Sequence, residues 1–184
     1  EGIMKKVLAV SGIILGIVLT ALIALLIHAG LFFKVQVTEA ISGPFTIVYT
    51  EQTGDYSKAN KAGMDIYQTL IAEFGVNPTK GFGIYYDNPQ TVAKDKLRSE
   101  IGCILEGNDI LKAPAITSKF KVRILEPKTS LVATHPFTNP LSIMLGIAKV
   151  YPKFGALPKE KTSAYTYSME IYDMPAKKTV YLMR

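Results

Sequence analysis

The residues best placed to do chemistry are a carboxylate and the tyrosines spaced regularly around it. Glu170 and Tyr172 stand two positions apart in Met169-Glu170-Ile171-Tyr172, so in an extended segment their side chains leave the same face. Ile84 and Tyr86 repeat that spacing earlier in the chain. A carboxylate beside tyrosine rings neutralises a bound cation while the ring faces add cation–π attraction, which suits an amphipathic cation rather than an anion. The competing description of Glu170 is a solvated strand glutamate. Glu100 is a second acid candidate for the same groove, with pairing to Arg98 or Lys96 as its alternative. Two buried carboxylates within reach of one substrate atom would permit general acid–base catalysis, but the spacing alone does not require such burial.

The remaining reactive side chains point elsewhere. His135 precedes Pro136 and is read as part of a surface turn, and Cys103 lies in an apolar run without a neighbouring histidine to activate it, as a structural thiol does. Gly81-Phe82-Gly83 lacks the third glycine and following helix of a nucleotide loop. No Gly-x-Ser-x-Gly, His-Glu-x-x-His or paired-cysteine pattern occurs. Accordingly no catalytic residue, metal or cofactor is assigned.

These residues must be positioned by strands and two helices. Phe45–Tyr49 reads as a strand after Ser42-Gly43-Pro44, followed by an amphipathic helix over Ser57–Phe74. Its apolar stripe is Ala59, Ala62, Gly63, Ile66, Tyr67, Leu70, Ile71 and Phe74, with Ser57 as N-cap and Gly75 as left-handed C-cap. Strands at Gly81–Tyr86 and Arg98–Leu105 complete a strand-helix-strand-strand module. The order then repeats. Leu131–His135 reads as a strand, and Asn139-Pro140 opens a short helix with stripe Leu141, Met144, Leu145 and Ala148, ended by Pro152. Ala164–Tyr172 and Thr179–Met183 are the paired strands. Tyr86-Asp87-Asn88-Pro89 and Tyr172-Asp173-Met174-Pro175 match 86 positions apart, the mark of an internal duplication.

The expected fold is therefore α+β, an antiparallel sheet built from two modules with both helices on one face. Residues 45–106 form module one, 107–127 a linker with a strand at Lys119–Leu125, and 128–184 module two. Tyr165, Tyr167, Met169 and Ile171 are expected to pack on the helices. Glu170 and Tyr172 then face away from them, with Ile84 and Tyr86 in the equivalent positions, and this outer face is the expected groove.

Composition separates the chain into two parts. Of 184 residues 48% are hydrophobic, and mean hydropathy is +0.21. From Val7 to Phe33 there is no Asp, Glu, Lys or Arg. As a helix this run would be roughly 40 Å long, more than a hydrocarbon core of about 30 Å needs. Residues 1–34 are read as a tail and an uncleaved single-pass anchor, with Met4 a candidate start of translation, and 35–184 as the folded domain. Ile27-His28-Ala29-Gly30-Leu31 continues into Phe32-Phe33 rather than into a small-residue cleavage site, which argues against a signal peptide. Lys5 and Lys6 before the run, against Lys34 after it, favour an N-terminus in the cytoplasm and a non-cytoplasmic domain. The net charge of +6 is dispersed, and Lys119, Lys121 and Arg123 read as the wet face of one strand. Contact with anionic headgroups is possible for such a surface, but nucleic acid is not an expected partner. The lone cysteine excludes an internal disulfide framework.

Three stretches carry a family resemblance: Ile84-Tyr85-Tyr86-Asp87-Asn88-Pro89, Lys96-Leu97-Arg98-Ser99-Glu100-Ile101-Gly102 and Met169-Glu170-Ile171-Tyr172. Over about Phe45 to Arg184 the chain resembles the GyrI-like or AraC effector-binding domain family. Pro136-Phe137-Thr138 followed by Leu141-Ser142-Ile143, together with the apolar N-terminus, is similar to its membrane-anchored, testis-expressed ER-phagy receptor subgroup. The resemblance implies duplicated strand-helix-strand-strand modules and a ligand groove containing Glu170, flanked by Tyr172 and Tyr86. For the subgroup it implies a cytosolic domain, opposite to the charge bias. The DNA binding of family regulators and the tail-borne activity of the subgroup are not expected of these residues.

The resulting expectation is a membrane-anchored domain that binds or sequesters a small amphipathic, cationic molecule at Glu170, Tyr172, Tyr86, Ile84 and Glu100, in contact with membrane lipid through its N-terminal helix. Its alternatives are a tethered protein-interaction module with a protein partner, and a hydrolase using groove carboxylates.

Overall fold

The computed structural model describes residues 2–184, except the side chains of Ala59 and Asn60, so that part of the expected helix stripe lies outside the described residues. The chain begins with α1 (Gly2–His28), 27 residues with no buried side chain and long and apolar enough to cross a membrane. Eight strands follow: β1 (Thr38–Ser42), β2 (Phe45–Thr53), β3 (Lys80–Tyr85), β4 (Arg98–Leu105), β5 (Lys121–Leu125), β6 (Lys128–Pro136), β7 (Ser168–Asp173) and β8 (Lys178–Met183). Between them lie α2 (Ala59–Phe74), α3 (Ala113–Ile116), α4 (Pro140–Gly155) and α5 (Lys159–Thr162). All eight strands join one antiparallel sheet in the order β1-β6-β8-β7-β3-β4-β2-β5.

That order is symmetric about the β7–β3 seam. The strand-helix-strand-strand unit β2-α2-β3-β4 and its counterpart β6-α4-β7-β8 each add an outer strand, β5 or β1. The strand Thr38–Ser42 was not expected from the sequence. Only Gly43 and Pro44 separate β1 from β2, although β1 lies at one edge of the sheet and β2 beside the other. The three Cα–Cα steps from Ser42 to Phe45 span no more than about 11 Å. The sheet must therefore curl until its edges approach, and Glu126-Pro127 makes the same crossing between β5 and β6.

Paired residues in an antiparallel ladder share a face. The row Val48, Cys103, Gly81, Tyr172, Thr179 and His135 faces the helices. On it α2 packs Ile66 and Leu70 against Val48, Cys103 and Leu105, and α4 packs Val150 and Phe154 against Leu131, Ala133 and Tyr181. Burial pushes the Cys103 thiol up to about 12, consistent with a structural thiol. The other face is closed by the curl, not by helices, and holds a third core of Ile47, Tyr49, Phe82, Ile84, Ile104, Met169, Ile171 and Leu182.

Both main helices differ in detail from their sequence reading. A short 3-10 turn at Tyr56–Lys58 precedes α2, and the backbone N–H of Ser57 bonds Asp55 instead of Ser57 capping the helix. Gly75 ends it in the left-handed conformation, as expected. Tyr67 and Ile71 of the expected stripe are exposed. Asn139 caps α4 through a reciprocal pair of bonds with Ser142, as its position predicts, but the helix continues through Pro152 to Gly155. Its buried face is Ser142, Gly146, Val150 and Phe154, not the stripe of Leu141, Met144, Leu145 and Ala148.

Candidate functional site

Glu170 lies in the row Thr50, Ile101, Gly83, Glu170, Tyr181 and Ala133, on the helix-covered face at the seam between the modules. This reverses the expected orientation. In the β3–β7 register Gly83 stands opposite Glu170, and Ile84 opposite Met169. A one-residue slip in register exchanges the two faces of a strand, and aligning the halves on Tyr-Asp-x-Pro introduces that slip. It is Met169 and Ile171, not Glu170, that point away from the helices, into the closed core.

The carboxylate is 3% exposed and enclosed by phenols. Tyr151, delivered by α4, donates its hydroxyl to Glu170 Oε1 at 2.7 Å, and Tyr172 donates to Oε2 at 2.7 Å. Tyr181 pairs with Glu170 across the β7–β8 ladder, and its buried hydroxyl makes no well-formed hydrogen bond, with the Thr179 hydroxyl as its polar neighbour. The ring of Tyr85 lies over Gly83, the residue opposite Glu170. Tyr151 meets Tyr181 edge-on at 6.0 Å, and Phe137 lies 5.9 Å from Tyr172.

Burial pushes the Glu170 carboxyl up from the ordinary glutamate range, while the bonds from Tyr172 and Tyr151 oppose the rise. The hydroxyls of Tyr151 and Tyr172 are driven well above the ordinary phenol value by burial and then by the Glu170 charge, so they remain donors. Among the described residues no lysine or arginine forms an ion pair with Glu170. Neutral donors satisfy the oxygens of a carboxylate without cancelling its charge.

The structure separates the sequence-predicted residues into two groups. Glu170 and Tyr172 belong to this cage. Ile84 is fully buried in the closed core on the opposite face. Glu100 shares that face, paired with Ile84 in the ladder, and is 5% exposed. Tyr86 donates to Glu100 Oε1 at 2.9 Å, and Arg123 Nη2 approaches Oε2 at 2.6 Å. Arg123 also lies over the Tyr49 ring, 4.7 Å from its centroid. The basic partner of Glu100 is thus neither Arg98, which pairs with Asp87, nor Lys96. Arg123 turns inward rather than sitting on a wet strand face. His135 is likewise not in a surface turn: it is 0% exposed beneath α4.

Sequence reasoning missed Tyr151, Tyr181 and Tyr85. Tyr85 adjoins Tyr86, and the correct strand register would have selected it. Tyr151 needed the correct face of α4. The glycine in that face is required, because a Cβ at Gly146 would lie 2.2 Å from the Tyr181 hydroxyl.

A duplicated strand-helix-strand-strand sheet with an acid caged by aromatics at its seam has the architecture of a small-molecule-binding module. The family model of the GyrI-like small molecule binding domain matches residues 42–181, and the chain belongs to this family. It is 27% identical over 177 residues to testis-expressed protein 264 of Homo sapiens, covering 90% of this chain and 54% of that protein. It is 28% identical over 134 residues to the Mus musculus testis-expressed protein 264 homolog, covering 69% and 41%. The chain spans about half the length of the curated relatives it matches. Among solved structures the fold is similar to SAV2435 bound to tetraphenylphosphonium, with a TM-score of 0.52, 13% identity and coverage of 80% of this chain and 92% of that one. It is also similar to the C-terminal domain of EcmrR, with a TM-score of 0.52, 12% identity and coverage of 81% and 96%.

Proposed function

We propose that this GyrI-like domain binds a small amphipathic cation at Glu170, Tyr172 and Tyr151, and that α1 holds it on a membrane as a single-pass anchor. The observation that carries the binding reading is the unpaired charge of Glu170. Among the described residues two nearly buried glutamates lie on the central strands, and Glu100 alone of the two has its own arginine. A buried carboxylate without a cation is costly unless it protonates or receives one. The cage is closed in this structure, so entry requires the Tyr151, Tyr172 or Phe137 ring to swing aside.

Tetraphenylphosphonium is the natural probe, a cation with an aromatic surface. Titrating it into the detergent-solubilised chain by calorimetry should give saturable binding. Glu170→Gln should weaken it roughly 10- to 100-fold, the size of a lost contact to a charged group worth about 1.5–3 kcal/mol. Glu100→Gln should leave the affinity nearly unchanged. Equal affinity in the native chain and Glu170→Gln would remove the proposed site. Anchoring is tested separately: the chain should stay with membranes after alkaline extraction and lose that association when α1 is deleted.

A further inference from the structure

The end of α1 is docked onto the folded domain. Gly30, at φ +93, ends the helix, and Leu31 N–H returns to the Leu26 carbonyl. From α4, Lys149 Nζ donates to the carbonyls of Gly30 and Phe33 at 2.9 and 3.1 Å, and also to that of Leu31. Thr138 Oγ1 donates to the His28 carbonyl at 3.1 Å. Ala29 and Gly30 are buried. These contacts fix which part of the domain surrounds the helix exit: the segment leading into α4 and the β7–β8 turn.

A cleft of about 470 Å³ opens between that exit and the domain. Its walls are apolar, from Phe137, Pro140, Ile143 and Met174, and its ionisable lining groups are His28 and Lys177, with no carboxylate among them. Lys177 has φ +48, a conformation that favours glycine and costs a lysine of order 1 kcal/mol. The backbone thus holds a cation at the cleft where a glycine would be easier.

We propose that this cleft seats the headgroup and upper chain of an anionic glycerophospholipid, with Lys177 facing the phosphate and Phe137, Ile143 and Met174 facing the glycerol and first methylenes. The inference rests on the reading of α1 as a membrane span. Lys5 and Lys6 keep the start of α1 at the opposite interface, and Val7–His28 is roughly 33 Å long against a hydrocarbon core of about 30 Å, so the last turn with His28 stands at headgroup level. An apolar wall rimmed by a lysine at that depth matches a lipid with a negative head and not a neutral solute.

The chain has no tryptophan, so single reporters are unambiguous. The full chain carrying Met174→Trp is reconstituted in phosphatidylcholine vesicles containing equal fractions of brominated phosphatidylserine or brominated phosphatidylcholine. Quenching by the brominated serine lipid should exceed that by the choline lipid about fivefold in effective local concentration. Adding Lys177→Gly, which relieves the backbone, should abolish the preference. Equal quenching by the two lipids, or a preference that survives Lys177→Gly, would overturn the proposal. A parallel Leu15→Trp reporter separates the two readings: if neither lipid quenches it, α1 does not span, and both fail together. If both lipids quench it while Met174→Trp shows no preference, only the cleft proposal fails.

Discussion

At the scale of single residues, two glutamates of identical chemistry are set apart by one strand register. Glu100 sits under Arg123 and Tyr86 and is neutralised within the fold. Glu170 receives only phenols, and burial raises its pKa above the ordinary glutamate value of 4.5. For an acid raised in this way, folding favours the neutral form. That contribution is complete below the unfolded value and is lost as pH rises through the folded one. Glu170→Gln should therefore match the native chain in melting temperature below about pH 4.5 and become the more stable protein as pH rises towards neutrality. Thermal unfolding across that range checks the sign. A native chain that gains on the variant with rising pH would mean that Glu170 is stabilised as an anion by the fold itself.

At the scale of elements, α4 does most to build the site. It supplies Tyr151 to the carboxylate, Lys149 to the end of α1 and Ser142 to its own cap. Its sequence is apolar nearly all round, so helical periodicity alone could not choose a face. Small residues chose it, because Ser142 and Gly146 let the axis approach the sheet closely enough for Tyr151 to reach Glu170. Gly146→Ala places a methyl 2.2 Å from the Tyr181 hydroxyl and should cost about 1–3 kcal/mol in urea unfolding. In a double-mutant cycle Tyr181→Phe, which removes that oxygen, should recover part of the loss. Strictly additive effects would show that the helix shifts instead of clashing. The helix boundaries themselves were legible: Asn139-Pro140 and Gly75 each identify one, because caps depend on local chemistry.

At the scale of the whole molecule, the duplication and the curl of the sheet follow from chain connectivity, and α1 is built onto the domain instead of being tethered to it. The apolar run and the folded part do not meet at a free hinge, because Ala29 is fully buried and Phe33 packs edge-on to His135 at 5.5 Å. A chain starting at Val35 should consequently be less stable than one starting at Ala29 by about 1.5–3 kcal/mol, the scale of charge-assisted hydrogen bonds such as those Lys149 gives to Gly30 and Phe33. Denaturant titration of the two truncations measures the difference. Identical midpoints and slopes would show that the docking contributes nothing to the fold.

The sequence by itself determined the apolar helix, the two modules and most of the strands, including β4 at Arg98–Leu105 residue for residue. Those features depend on composition, caps and short-range periodicity, which each segment carries alone. It offered Glu170 and Glu100 alike as candidate acids. Only the tertiary structure decided which face Glu170 occupies and which of its companions join it there. β7 alternates Ser168, Glu170 and Tyr172 with Met169 and Ile171, so alternation pointed the polar set away from the core. In the fold helices cover that set while the curl buries the apolar one, and both faces are enclosed. The register across β3 and β7, which puts Gly83 and not Ile84 opposite Glu170, is set by long-range pairing. That pairing brings Tyr85 to the carboxylate, where α4 adds Tyr151, and leaves Tyr86 with Glu100 on the other side of the sheet.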